Sequence, residues 1–129
     1  MLGLTRRYLP VWFYVGVIII LSLLVGIVLK IKFFLLWATP IFWTGYILLI
    51  DGVIFSFKGK SFVFFSGFPI VILLSIVVWW FFEWMNIFIS NWRYTGLPEL
   101  ITRYIGYFWA FSTIIPGVLL TYGVFLLLF

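Results

Sequence analysis

Four long apolar stretches, joined by links too short to form a domain of their own, constrain this chain more than any other feature. They run over residues 11–29, 33–50, 62–89 and 105–129. About 20 helical residues cross a hydrocarbon core of about 30 Å. The first stretch has 19 residues and no charge. We read an all-α integral membrane protein: four transmembrane helices, antiparallel in succession, with short loops, in a single membrane domain over residues 1–129. Composition closes the alternatives. The chain is 67% hydrophobic and 9% charged, against about 45–50% and about 25% for a soluble domain. A soluble fold of 129 residues exposes too much of its surface to hide that excess. Disorder is excluded because a quarter of the residues are aromatic.

The first stretch is too long for the core of a cleaved signal peptide, and no small-residue cleavage site follows it. Thr5-Arg6-Arg7-Tyr8-Leu9 echoes a twin-arginine signal, but no soluble cargo follows. Lys30-Ile31-Lys32 is the only polar link to the second stretch, so the first two helices form a hairpin. Pro40 should kink the second helix, with Thr39 and Thr44 placed to satisfy freed backbone groups. Asp51 closes that stretch. Residues 51–61 read as a headgroup-level loop with two glycines and two lysines, in which Val53, Phe55 and Phe57 alternate as a short extended piece would.

The third stretch contains Gly67 and Pro69. A helix starting at Phe62 puts Glu83 about 31 Å along, at the far interface; a restart at Pro69 puts it about 21 Å along, inside the hydrocarbon. Both depths stand open from sequence. Residues 92–103 form the second loop, with Gly96 and Pro98 as breakers. The fourth stretch carries Gly106-x-x-x-Ala110, a spacing that lets helices approach closely, and then Pro116-Gly117.

The net charge is +5, from eight cations and three acids. The cations fall in pairs between the stretches, the pattern of headgroup anchoring rather than nucleic-acid binding. Arg6, Arg7, Lys58 and Lys60 fall on one side, and Lys30, Lys32, Arg93 and Arg103 on the other. The tally ties and sets no orientation. The chain has no Cys and no His. That excludes Cys or His metal sites, His-ligated haem, and Ser-His-Asp or Cys-His catalysis. We expect no cofactor and no metal.

The densest polar and aromatic segment runs from Trp79 to Tyr94. At 100° per residue, Glu83, Asn86, Ser90 and Arg93 share a helical arc of about 80°. Trp80, Trp84, Phe88 and Trp92 recur every four residues beside it. This seam and wall could cradle a flat apolar or cationic ligand; equally, they could form a membrane-interface belt packed on a neighbouring helix. Glu83, Asp51 and Glu99 are the candidate general acids. Asp51, at a helix C-terminus, would oppose the dipole and call for Lys58, Lys60 or Arg103 as partner.

Trp37…Pro40…Trp43-x-Gly45-Tyr46…Asp51, Lys58-Gly59-Lys60-Ser61, and Phe82-Glu83-Trp84-Met85-Asn86…Asn91-Trp92-x-Tyr94-x-Gly96-Leu97-Pro98 together resemble a family of uncharacterised bacterial multi-pass membrane proteins. The resemblance covers most of residues 37–117 and carries no activity with it. It implies the bacterial inner membrane. A narrower resemblance is to small lycopene cyclase-type carotenoid cyclase subunits: Asp51 precedes an aromatic loop, and Leu97-Pro98-Glu99 precedes the last span. Those proteins carry paired carboxylates where Glu99 stands alone, and cyclisation begins by protonating an alkene.

These observations favour a non-catalytic subunit, an accessory or scaffold component of a larger membrane complex. Its partners would be the bilayer, other membrane helices, and a bound lipid, isoprenoid or pigment. The alternatives are an enzyme acting on a lipid or isoprenoid through a carboxylic acid, and a small oligomeric transporter through Glu83 and Asn86.

Overall fold

The computed structural model describes residues 8–129; Arg6 and Arg7 lie outside them. The elements are α1 (Val11–Val28), α2 (Lys32–Leu36), α3 (Ala38–Lys58), α4 (Phe68–Ile89) and α5 (Leu100–Leu128). The helices α1, α3, α4 and α5 are each long and apolar enough to cross a membrane. The chain is therefore an all-α protein with four candidate spans.

The elements differ from the apolar stretches where local chemistry intervenes. Pro40 does not kink the middle of a helix. It sits in the first turn of α3, and the helix breaks three residues earlier at Trp37, separating α2 from α3. A proline ring clashes with the carbonyl four residues back, so a first-turn position avoids the cost. The Thr44 hydroxyl donates to the Pro40 carbonyl (2.7 Å). Helix α3 then runs straight through Asp51 to Lys58, so residues 51–58 are helical rather than a loop, and Val53, Phe55 and Phe57 do not form an extended piece. It stops at Gly59, whose φ of 69° is the left-handed cap that glycine adopts without a Cβ clash. Residues 60–67 turn, and α4 begins at Phe68 with proline in its first turn. The later of the two possible starts is the one adopted. Helix α5 starts at Leu100, five residues before the fourth apolar stretch, with Glu99 at its N-cap.

The packing order in space is α1, α3, α5, α4. The α1–α3 contact rests on backbone proximity: a Cβ on Gly16 would lie 2.6 Å from the Gly45 carbonyl oxygen and 2.7 Å from the Leu49 nitrogen. Small residues replace the hydrophobic drive that is absent between helices in lipid. Helices α3 and α5 run parallel. The Trp109 indole N–H donates to Thr44 (3.0 Å), and the Tyr46 hydroxyl meets Thr121 (2.7 Å), whose own proton goes to the Gly117 carbonyl. The Trp43 ring fills the space where a Cβ on Gly117 would stand.

Pro116 removes one hydrogen bond from the ladder of α5. Ser75 of α4 enters beside the gap: its hydroxyl donates to the Phe111 carbonyl and accepts the Ile115 N–H (3.0 Å). A side chain inserted into the ladder is a physical cause of helix bending, and here it also fastens α4 to α5. Because α5 lies between α3 and α4, those two helices make no close approach. A cleft is left between them over α5.

Candidate functional site

The cleft lies at the end of the molecule where α3 and α5 begin and α4 finishes. Its volume is about 1030 Å3, at the large end of the range for small-molecule sites. Helix α5 supplies the floor with Gly106, Tyr107, Ala110 and Phe111. One wall is α2 with the start of α3, which bring Lys32, Trp37 and Trp43; the other is α4, which brings Trp79. The loop from Tyr94 to Pro98 covers the end. The small floor residues keep the cleft open, since a Cβ on Gly106 would come within 3.3 Å of the Trp37 ring.

Aromatic contacts hold the walls in place. Tyr107 stacks on Phe111 with centroids 5.5 Å apart and planes 3° from parallel, and Trp79 leans on Phe111 at 5.9 Å. Trp37 lies 5.8 Å from Trp109. Such pairs are worth about 0.5–1.5 kcal/mol beyond the area they bury.

The covering loop is held by two residues of the polar seam. The Asn86 carboxamide accepts the N–H groups of Asn91 (2.9 Å) and Trp92 (3.1 Å) and donates to the Trp92 carbonyl (2.9 Å). The Glu83 carboxylate accepts the Trp92 indole N–H (3.3 Å) and the Tyr94 hydroxyl. Partial burial and the Glu83 hydrogen bond push the Tyr94 phenol up to about 12, because both disfavour the phenolate. Glu83 sits about 9 Å before the end of α4, with its carboxylate turned toward the loop.

The seam therefore stops at Asn86. Ser90 ends α4 in a left-handed conformation with φ of 52°, and Arg93 is off the helix and exposed, so neither continues the arc. The aromatic stripe divides likewise. Trp92 folds back to Glu83, while Trp84 stays exposed and touches Phe88 and Phe81. Trp80 turns to α5, within 6.2 Å of Tyr104, Tyr107, Phe108 and Phe111. No single surface is lined by all of the seven candidate binding residues Glu83, Asn86, Ser90, Arg93, Trp80, Trp84 and Trp92.

The three acids are not brought together. Asp51 is fully buried seven residues before the end of α3, at the opposite end of the molecule from Glu83. Its partners are none of Lys58, Lys60 and Arg103. The carboxylate accepts the Ser61 hydroxyl (2.6 Å) and the N–H groups of Phe62 (2.6 Å) and Val63 (3.3 Å), tying down the turn that leads to α4. Glu99 stands at the N-cap position of α5, and its carboxylate accepts the Thr102 hydroxyl (2.6 Å) rather than a backbone N–H. No group of three or more Asp and Glu able to hold a metal occurs among the described residues.

The residues that do converge on the cleft, Lys32, Trp37, Trp43, Trp79, Tyr94, Arg103, Tyr107 and Phe111, come from four separate segments. Nothing in the sequence signals that they converge: Gly106 and Ala110, whose spacing reads as a helix-approach pair, line the open floor instead. The fold and its apolar helices define a polytopic α-helical membrane protein. No family model, no curated protein and no solved structure matches this chain.

Proposed function

We propose that this protein is a non-catalytic component of a membrane, in keeping with a bacterial inner membrane, that works by holding the apolar part of an amphiphile, a lipid or isoprenoid, in the α3–α5–α4 cleft. The observation that carries the reading is the cleft itself: a large aromatic trough, kept open by Gly106 and Ala110, between two helices that do not meet. Sites for apolar ligands combine such walls with a few polar groups at one end. The non-catalytic half of the reading is supported by the acids. Asp51 spends both carboxylate oxygens on internal hydrogen bonds, and Glu83 and Glu99 each spend one, on a loop and on the first turn of α5. The role of accessory subunit is favoured by α4, which leaves Leu73, Val77, Phe81, Trp84 and Phe88 exposed along one stripe for lipid or partner helices.

The test fills the trough. Ala110→Phe places a ring on its floor. Protein purified in mild detergent should carry an amphiphile, seen as adducts by native mass spectrometry, and the variant should lose it with its melting temperature kept. Equal retention by both proteins would contradict the reading.

A further inference from the structure

The polar groups at the mouth of the cleft are of one sign. Lys32 and Arg103 line it, and no Asp or Glu does. The two acids nearest in sequence to the roof are engaged elsewhere, Glu83 by Tyr94 and Trp92, Glu99 by Thr102. Arg103 is only partly satisfied by the protein. One terminal nitrogen, Nη2, donates to the Pro98 carbonyl (3.1 Å), which orients the guanidinium, while Nε is buried without any hydrogen-bond partner. A buried donor left unpaired is costly, and a guanidinium carries five N–H donors in a planar fork that suits phosphate. Arg103 lies three residues into α5, about 4.5 Å from the helix start, and two residues before the uncharged stretch 105–129, the place of a headgroup-level cation.

We propose that the cleft binds a phosphate-headed amphiphile, with the apolar chain on the Trp37–Trp43–Trp79 walls and the phosphate held by the Arg103 fork and the Lys32 ammonium. This rests on the reading of the cleft as an amphiphile site and names the head that site selects. Arg103 supplies direction and geometry through its terminal nitrogens, Nη1 and the second N–H of Nη2. Lys32, on the opposite wall, supplies a point charge. Thr39 and Thr95 line the same mouth and offer hydroxyl donors, while the Thr102 proton is taken by Glu99.

The experiment uses the full chain in neutral detergent, offered phosphatidic acid and diacylglycerol with identical acyl chains, with retained lipid read by native mass spectrometry. The wild type should prefer phosphatidic acid by about tenfold or more, the range of a charge-assisted bidentate contact. Arg103→Gln should bring the preference to near unity while diacylglycerol is still retained. Arg103→Lys, which keeps charge but not the fork, should fall between. Lys32→Gln, at an exposed position, should reduce the preference in part, and it decides the matter if the Arg103 variants do not fold. Retention of both lipids by the wild type without preference, or a preference unchanged in Arg103→Gln and Lys32→Gln, would overturn the phosphate assignment and leave the amphiphile reading standing. Retention of neither lipid would overturn both. Retention of inorganic phosphate with no preference for phosphatidic acid would make the head alone the ligand and overturn the assignment to a lipid.

Discussion

The phenol of Tyr94 donates its proton to the carboxylate of Glu83, eleven residues back, and this one bond joins the roof of the cleft to the helix that forms its wall. The link has a pH signature. The Tyr94 pKa is raised from an ordinary 10 to about 12. A folded-state value raised in this way means that the link contributes fully below pH 10 and is lost as pH rises through 12. The tyrosinate absorbance of wild type minus Tyr94→Phe should therefore titrate with a midpoint near 12. Glu83→Gln should move that midpoint down. A difference curve centred at 10 in the wild type would contradict the bond.

Asp51 should be worth more to stability than a lone acid usually is. Its carboxylate takes three hydrogen bonds inside the fold, and hydrogen bonds to charged groups contribute about 1.5–3 kcal/mol each. Asp51→Asn replaces one acceptor oxygen by a donor facing the Ser61 hydroxyl, and should cost about that amount in denaturant unfolding in micelles. Ser61→Ala should cost less, since the backbone N–H bonds to Asp51 remain. Equal stability of Asp51→Asn and wild type would remove the carboxylate from the account.

Ser75 should behave as a fastener rather than a filler. It is 1% exposed and bonds both the Phe111 carbonyl and the Ile115 N–H of α5, one residue before the rung that Pro116 breaks. Ser75→Ala keeps the volume nearly constant but leaves a buried carbonyl and N–H to find partners, a loss of about 1–3 kcal/mol. Amide exchange should quicken at Ile115 first. Unchanged protection at Ile115 would mean that α5 closes its ladder without Ser75.

The glycines separate close approach from free space. A methyl group on Gly16 meets backbone atoms of α3, so Gly16→Ala must push α1 and α3 apart at a cost of about 1–3 kcal/mol. A methyl group on Gly123 meets only the tip of Ile54, at 3.0 Å, and that tip can turn aside. Gly123→Ala should therefore stay within about 0.5 kcal/mol of wild type. Thermal unfolding of the two variants side by side checks the order, and a reversed order would contradict the α1–α3 contact.

The four spans were legible because apolar length is a local property, visible in the residues themselves. The element ends were less so. Asp51 read as the close of a helix because a bare charge in hydrocarbon is costly. It is tolerated inside α3 because Ser61, Phe62 and Val63 fold back on it, an arrangement that no window around Asp51 displays. From sequence the polar seam on α4 runs through Ser90 to Arg93, because no glycine or proline marks a stop there. The helix ends because Asn86 supplies the hydrogen bonds that turn the chain. Glu83 was legible as a residue of consequence, though its partners are the loop residues Trp92 and Tyr94 rather than a cation. The cleft was not legible. It depends on α5 coming between α3 and α4, and on Trp37, Trp79 and Arg103 meeting across three helices.

The central claim is that an apolar chain occupies the space between α3 and α4. A density map of the protein extracted with its native membrane tests it most directly. Elongated density is expected over Gly106 and Ala110, between Trp43 and Trp79, ending beside Arg103. A map in which the α3 and α4 walls close on each other, or in which a protein side chain fills the trough, would contradict it.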